Sequence, residues 1–236
     1  VKSYFAPQSL PWSGPTVANL DLDPEPEIVI SAIDDALYVL DHLGDVEFSD
    51  PLGTDFPTVP VLTDLTNDGI LDIIVAEAWT IRALDYQNGG TVVWSRDLPD
   101  PIIQGNGSFG SPAIADLDGN GRPEVIINWG HVVEALQDDG TLLWRYETAR
   151  TDLFRPSPVT VADVTGDGQV DLITASAINA GLSVFNHLLM VIDSGGSLIW
   201  EQDVADRSAS ASGVAAQDLT GNGAWEILWN GSQDGF

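Results

Sequence analysis

The sequence predicts an all-β chain built from repeated four-stranded antiparallel units. Three observations carry that prediction. A nine-residue acidic loop recurs five times in register, starting at residues 19, 64, 116, 163 and 218. Short apolar blocks, the length of strands rather than helices, flank every copy. The 23 glycines and 14 prolines interrupt the chain too often for sustained helical periodicity. Four-stranded units spaced 45, 52, 47 and 55 residues apart indicate a β-propeller, whose blades stand radially around a channel. A parallel β-helix needs much shorter repeats, and a sandwich does not repeat at all.

Each unit reads the same way along the chain. A short first strand headed by Pro or Gly, such as Ser111-Pro-Ala-Ile-Ala115, leads into the acidic loop. A β-branched or large apolar second strand follows, such as Ile73-Ile-Val-Ala76 or Val125-Ile-Ile-Asn-Trp129. The third strand is seen in Ala36-Leu-Tyr-Val-Leu-Asp41, Ile81-Arg-Ala-Leu-Asp85, Val132-Val-Glu-Ala-Leu-Gln137 and Leu188-Leu-Met-Val-Ile-Asp193. Glycine turns such as Asn88-Gly-Gly90 and Asp138-Asp-Gly140 supply the positive φ of tight hairpins. The fourth strand carries an aromatic near its start: Phe48, Trp94, Trp144 and Trp200. These aromatics are expected to pack between adjacent blades.

The repeat units span approximately 15–59, 60–111, 112–157, 158–212 and 213–236, treated as one propeller domain or propeller fragment over 1–236. Four are complete and the fifth is partial, which suits a fragment of a ring of seven or eight blades better than a five-bladed ring closed by both ends. The chain opens at Val1 with no signal peptide, and so reads as a processed chain or a segment of a longer one.

Composition narrows the partners. There are 36 acidic residues against eight basic ones, no cysteine, and a formal net charge of −28. Nucleic acid and anionic membrane both require a basic face, so neither is an expected partner. No apolar run approaches the roughly 18 residues of a membrane span. At 44% hydrophobic residues with eight tryptophans, the chain is no disordered acidic tail. Without cysteine there are no disulfides, thiolate zinc sites or cysteine nucleophiles.

The five loops offer oxygen at positions 1, 3, 5 and 9 from side chains and at position 7 from the backbone. The first comprises Asn19, Asp21, Asp23, Glu25 and Glu27; the second Asp64, Thr66, Asp68, Ile70 and Asp72. The third comprises Asp116, Asp118, Asn120, Arg122 and Glu124; the fourth Asp163, Thr165, Asp167, Gln169 and Asp171. The fifth comprises Asp218, Thr220, Asn222, Ala224 and Glu226. Alternate spacing turns these groups onto one point, and an all-oxygen cage suits a hard cation of flexible coordination, Ca2+ before Mg2+. Up to five Ca2+ ions are expected. Glycine at position 6 permits the sharp turn in four copies, while Pro24 replaces it in the first. An EF-hand would need a Glu at position 12 and flanking helices. Position 12 here holds Ile30, Val75, Ile127, Thr174 and Trp229. The bland alternative is a plain acidic turn, but five copies that each keep an acid at position 9 speak against it. The fourth loop is the typical one. Pro24, Pro26 and the neutral Asn19 mark the first as doubtful, and the fifth, with two carboxylates, as the weakest.

These loops resemble the FG-GAP or VCBS repeats of integrin-type and bacterial extracellular β-propellers, with a literal Phe109-Gly110 ahead of the Asp116 loop. The resemblance implies Ca2+ held between the first two strands of each blade, an extracellular or cell-surface location, and a protein or glycan ligand at a surface or matrix. The run Ala83-Leu-Asp-Tyr-Gln-Asn-Gly-Gly-Thr-Val-Val-Trp94 also resembles the PQQ-type propeller repeat.

No catalytic constellation stands out. His42, His131 and His187 are scattered, and HExxH, P-loop and G-x-S-x-G motifs are absent. The expected function is therefore a non-enzymatic Ca2+-binding module for adhesion, surface assembly or protein recognition. Two alternatives stand beside it: a carbohydrate-binding or polysaccharide-active propeller, and a fibre subunit that self-assembles through its incomplete end units. Asn106-Gly-Ser and Asn230-Gly-Ser are glycosylation matches, and Trp12, Trp79 and Tyr86 are aromatics that could stack on sugar rings.

Overall fold

The computed structural model describes residues 14–21, 23–32, 36–52, 58–77, 80–97, 110–150, 152–178, 186–205, 213–223 and 225–229. They form nineteen strands and no helix. The chain divides into two compact units, Val1–Pro112 with Asp138–Gly140, and Ala113–Gln137 with Thr141–Phe236.

The first unit holds two four-stranded antiparallel sheets in sequence order. One is β1 (Thr16–Ala18), β2 (Glu27–Ala32), β3 (Ala36–Leu40) and β4 (Val46–Pro51). The other is β5 (Val61–Thr63), β6 (Asp72–Glu77), β7 (Thr80–Asp85) and β8 (Thr91–Asp97). Their core joins Leu20, Val29, Leu37 and Val39 of the first repeat to Ile73, Val75 and Leu84 of the second, with Phe48 and Tyr86 packed against it.

The second unit repeats the pattern with β9 (Ala113–Ala115), β10 (Glu124–Asn128), β11 (Val132–Leu136) and β12 (Leu142–Glu147). Its other large sheet has five strands: β13 (Leu153–Pro156), β14 (Thr160–Ala162), β15 (Asp171–Ile178), β16 (Asn186–Asp193) and β17 (Leu198–Ala205). A two-stranded sheet follows, β18 (Val214–Gln217) and β19 (Glu226–Trp229). Hydrophobic side chains of β15 and β16 pack on those of β18 and β19, including Ile173, Val191, Val214, Ile227 and Trp229.

The fifth strand of the fourth repeat departs from the four-strand expectation. β13 pairs with the far half of β15 and β14 with the near half, so both act as interrupted parts of one edge strand. Arg155 sits at φ 46 where the register slips between Phe154 and Pro156. Proline cannot donate to a ladder and is tolerated at a sheet edge or bulge, where both Pro156 and Pro158 lie.

The burial pattern explains the composition of each strand. Every residue of β6, β10 and β15 is buried, because these strands are covered on both faces and so can be apolar throughout. The fourth strands carry the exposure instead, with Val46, Val92, Leu142 and Leu198 standing out of β4, β8, β12 and β17. Each fourth strand starts with a bulge against the third, at Val39/Leu40, Ala83/Leu84, Ala135/Leu136 and Val191/Ile192. Among the described residues no helix is long and apolar enough to cross a membrane.

Candidate metal centres

The acidic loop links the first strand of each sheet to the second, and the same hydrogen bonds build it repeatedly. The position 9 acid opens the second strand and is buried in four copies: Glu27, Asp72, Glu124 and Asp171. It turns back to accept backbone N–H groups near the start of the loop. Glu27 Oε2 accepts from Leu20 at 2.6 Å, Glu124 Oε2 from Leu117 at 2.6 Å, and Glu226 Oε2 from Leu219 at 2.7 Å. The shorter Asp takes two donors: Asp72 Oδ2 from Leu65 and Thr66, and Asp171 Oδ2 from Val164 and Thr165.

The position 1 acid gathers the far side of the turn. Asp116 accepts N–H from Gly119, Asn120 and Gly121, at 2.8, 3.1 and 2.9 Å. Asp163 does the same with Gly166, Asp167 and Gly168, and Asp218 with Gly221, Asn222 and Gly223. Asp64 accepts from Asp68 and Gly69. Position 5 then accepts from the N–H of position 7: Ile70 to Asp68, Arg122 to Asn120, and Gln169 to Asp167. The turn needs positive φ at positions 4 and 6, as in Gly166 (φ 77) and Gly168 (φ 87). Asn67 takes position 4 in the second loop at φ 58, a conformation Asn tolerates better than most residues.

The first loop is built differently. Asn19 donates its side-chain amide to the carbonyl of Asp23, Asp21 Oδ1 accepts from Asp23 N–H, and Asp23 Oδ1 accepts from Glu25 N–H. Despite its prolines, this loop brings Asp21, Asp23 and Glu27 together with ligand oxygens within 4.8 Å of one another. The third loop does the same with Asp116, Asp118 and Glu124. Among the described residues no other group of three such side chains comes this close. Three carboxylates thus converge in the first loop, which the sequence marked as doubtful, and in the third, but not in the fourth, which it marked as typical. Both converging loops carry Asp at position 3, where Thr66, Thr165 and Thr220 stand in the others. Thr220 donates its hydroxyl to Glu226 Oε1 at 3.1 Å. Ala224 lies outside the described residues.

The electrostatics follow the burial. Burial pushes the carboxyl of Glu27 up, and the charges of Asp21, Asp23 and Glu47 add to the shift against one opposing backbone hydrogen bond. Glu124 is raised by burial, with Asp118 and Asp116 contributing. Asp72 is raised chiefly by burial, with Asp85 and Asp68 contributing. Exposed Asp218 moves the other way, held low first by the Gly223 N–H and then by its other backbone donors. Glu47 and Asp85, from β4 and the end of β7, are neighbours that the loop pattern alone did not reveal. A polar cleft of about 260 Å3 separates the third and fourth loops, lined by Asp116, Asp118, Gly168 and Gln169 among others.

Other residues singled out by sequence have different fates. Tyr86 is not a free stacking platform: it meets Phe48 edge-on at 6.0 Å and donates its hydroxyl to Glu47 at 3.1 Å. His131 and His187 are buried and His42 is exposed. Trp12, Trp79, Asn106, Phe109 and Asn230 lie outside the described residues.

Four-stranded antiparallel sheets in sequence order, each with its loop between the first two strands, are β-propeller blades. Residues 64–127, from the second loop through β10, match the family model of the FG-GAP-like repeat. The chain has no match among curated proteins. Among solved structures it resembles the biofilm matrix protein Bap1 of V. cholerae at 23% identity and TM-score 0.61, over 86% of this chain and 30% of that one. It also resembles Sqt1 of Saccharomyces cerevisiae at 10% identity and TM-score 0.59, over 91% of this chain and 55% of that one. A third likeness is to the Dos1 propeller at 16% identity and TM-score 0.55, over 80% and 46% of the two chains. The chain therefore spans less than a third of Bap1 and about half of the other two. The likenesses speak to fold.

Proposed function

We propose that the chain is an extracellular, non-enzymatic propeller module whose acidic loops hold Ca2+ and whose rim meets a protein or glycan at a cell surface or matrix. One observation carries the cation reading. The third and fourth loops make the same turn with the same three N–H bonds to position 1, yet only the third has a carboxylate at position 3. The turn therefore does not require Asp118, and neither does the strand that follows. Asp118 accepts from the backbone N–H and side-chain amide of Asn120, and it also adds repulsion against the already buried Glu124, a cost that a cation between them reverses. Asp21 stands in the same relation to Glu27. An all-carboxylate, cysteine-free donor set matches Ca2+ better than a transition metal. Asp116, Asp118 and Glu124 would hold one ion, and Asp21, Asp23 and Glu27 another. Such an ion would neutralise the buried acid and tie the loop to the second strand. The repeat match and the likeness of fold to a biofilm matrix protein support the extracellular assignment.

The test is thermal. An ion bound at about a hundred times its Kd adds about 2.7 kcal/mol by mass action, so chelation should lower the melting temperature and millimolar Ca2+ restore it. Asp118→Asn keeps the oxygen that accepts the Asn120 N–H and should shrink the Ca2+-dependent increment. A melt indifferent to chelation, with no Ca2+ by elemental analysis, refutes the reading.

A further inference from the structure

Three Asn-Gly steps are exposed among the described residues: Asn88-Gly89 in the β7–β8 turn, Asn120-Gly121 in the third loop and Asn222-Gly223 in the fifth. The backbone nitrogen after an Asn can attack the Asn side-chain carbonyl, and a glycine leaves that nitrogen uncrowded. The reacting groups sit on adjacent residues, so the chain itself supplies their proximity. A Cβ on Gly89, Gly121 or Gly223 would meet nothing within 4 Å, so crowding does not separate the three steps. Their hydrogen bonds do.

In the third loop each reacting group has a partner suited to the reaction. The Gly121 N–H donates to Asp116 Oδ2 at 2.9 Å, which sets a carboxylate against the nucleophilic nitrogen. Asn120 Oδ1 accepts the Arg122 N–H at 2.7 Å, a donor placed where negative charge would form on that oxygen. The Asn120 side-chain nitrogen donates to Asp118 Oδ2 at 3.0 Å, which fixes the carboxamide. The β7–β8 turn has neither aid. Its Gly89 N–H donates to the Tyr86 carbonyl, which is a poor proton acceptor, and among the described residues the Asn88 carboxamide only donates, to Asp85. The fifth loop repeats the carboxylate, with the Gly223 N–H donating to Asp218 Oδ2 at 2.8 Å.

We propose that the third loop promotes conversion of its own Asn120 to Asp through a cyclic imide. The Gly121 nitrogen attacks Asn120 Cγ as its proton passes to Asp116, and the oxyanion on Oδ1 is held by the Arg122 N–H. The oxyanion collapses, the bond from Cγ to Nδ2 breaks, and the proton returns from Asp116 to Nδ2, which leaves as ammonia. Water opens the imide at Cγ to give aspartate, or at the backbone carbonyl to give isoaspartate. One water is consumed and one ammonia released. The aspartate product suits the turn. Asp68 and Asp167 already hold position 5 in the second and fourth loops, where they accept the position 7 N–H at 2.9 and 2.8 Å. Conversion thus gives the third loop the position 5 carboxylate that those two loops carry from the start. This inference does not depend on the cation.

The test incubates the chain with chelator in neutral buffer and follows amide-to-acid conversion by peptide mass spectrometry, using fragmentation that separates aspartate from isoaspartate. Asn120 should convert about tenfold faster than Asn88, or more, as general-base assistance provides. It should also convert faster in the native chain than in guanidinium chloride, where the two steps should converge. Asp116→Asn should slow Asn120 to the denatured rate or below and leave Asn88 unchanged as an internal clock. A cooperative melt of Asp116→Asn shows that the base was lost and not the fold. If that variant does not fold, the native and denatured rates of the unmodified chain decide. Mere shielding by the hydrogen bonds predicts the reverse order. Native Asn120 converting no faster than denatured Asn120 or than Asn88, or no slower in a folded Asp116→Asn, overturns the proposal.

Discussion

Adjacent glycines in one turn allow the contribution of an aromatic lock to be isolated. Gly89 and Gly90 have nearly identical backbones, at φ 73 and φ 74. Both N–H groups are bonded, to the Tyr86 and Asp85 carbonyls at 2.9 Å, and both bonds survive substitution by Ala. A Cβ on Gly89 meets nothing within 4 Å, whereas one on Gly90 falls 2.1 and 2.4 Å from two Phe48 ring carbons. Gly89→Ala therefore pays only left-handed backbone strain, about 1–2 kcal/mol. Gly90→Ala pays the same strain plus about 1–3 kcal/mol for forcing the ring from its seat. At about 2–4 °C per kcal/mol for a chain of this size, Gly89→Ala should lower the melting temperature by about 2–8 °C. Gly90→Ala should lower it by a further 2–12 °C or so. In a double-mutant cycle, Phe48→Ala should absorb most of that extra cost, leaving a coupling of about 1–3 kcal/mol. Calorimetric melts of the parent, the three single variants and the Gly90→Ala/Phe48→Ala double variant provide the measurement. Equal losses for Gly89→Ala and Gly90→Ala, or a coupling near zero, would refute the view that the ring and turn hold each other.

Two further outcomes follow from buried polar groups. Asn128 is fully buried, donating to Thr174 Oγ1 at 2.7 Å and accepting from Gly130 N–H at 2.8 Å. Asn128→Ala strands the buried Gly130 N–H, while Thr174 keeps its bonds to Ser157, and should cost about 1–3 kcal/mol, read as a drop of several degrees in the same melts. Glu27, Asp72 and Glu124 have carboxyls raised in the fold, so their neutral form is favoured there. The stability from protonating them is fully present below the unfolded value of about 4 and is lost as pH rises through the folded value. In chelator, the chain should melt higher as pH falls from neutral toward about 5, while the increment from Ca2+ shrinks because its ligands must be ionised. A chelated melt that falls over this window contradicts the assignment. Asp218, held low, loses its own contribution only in the more acidic range.

What the sequence made legible was whatever repeats. Five loops, the strand order and the four outer-strand aromatics are written at a fixed period and appear where the spacing puts them. Features that depend on one sheet meeting another were not written that way. β13 was hidden because Pro156 and Pro158 look like strand breakers, although at an edge they cost little. Tyr86 looked like an exposed ring, but its partners Phe48 and Glu47 lie 38 and 39 residues away in sequence. The convergence of carboxylates in the first loop was hard to read for a different reason. Pro24 and Pro26 argued for stiffness, whereas the choice of Asp or Thr at position 3 decides whether three carboxylates meet. That signal was present in Asp21 and Asp118 and was outweighed by backbone considerations.

The two repeating devices are linked at one end of each sheet. In an antiparallel four-stranded sheet the connection from first to second strand and that from third to fourth lie at the same end. The acidic loop and the glycine turn are therefore neighbours, and in the fourth repeat they touch: Ser194 in the turn donates its hydroxyl to Gln169 Oε1 of the loop at 3.1 Å. The carbonyl of the same Ser194 accepts the indole N–H of Trp144. One residue thus connects a candidate ligand position to the lock between the third and fourth repeats. Where the loop is ordered, the turn is braced, and where the turn is braced the tryptophan has a fixed acceptor. The acidity at this rim is consequently not free to vary as ordinary surface charge does. Its position 9 acids, and the position 1 acids of the last four loops, are bound into backbone hydrogen bonds that shape the end of the blade, while the position 3 acids of the first and third loops accept a backbone N–H of their own loop and add charge beside a buried position 9 acid.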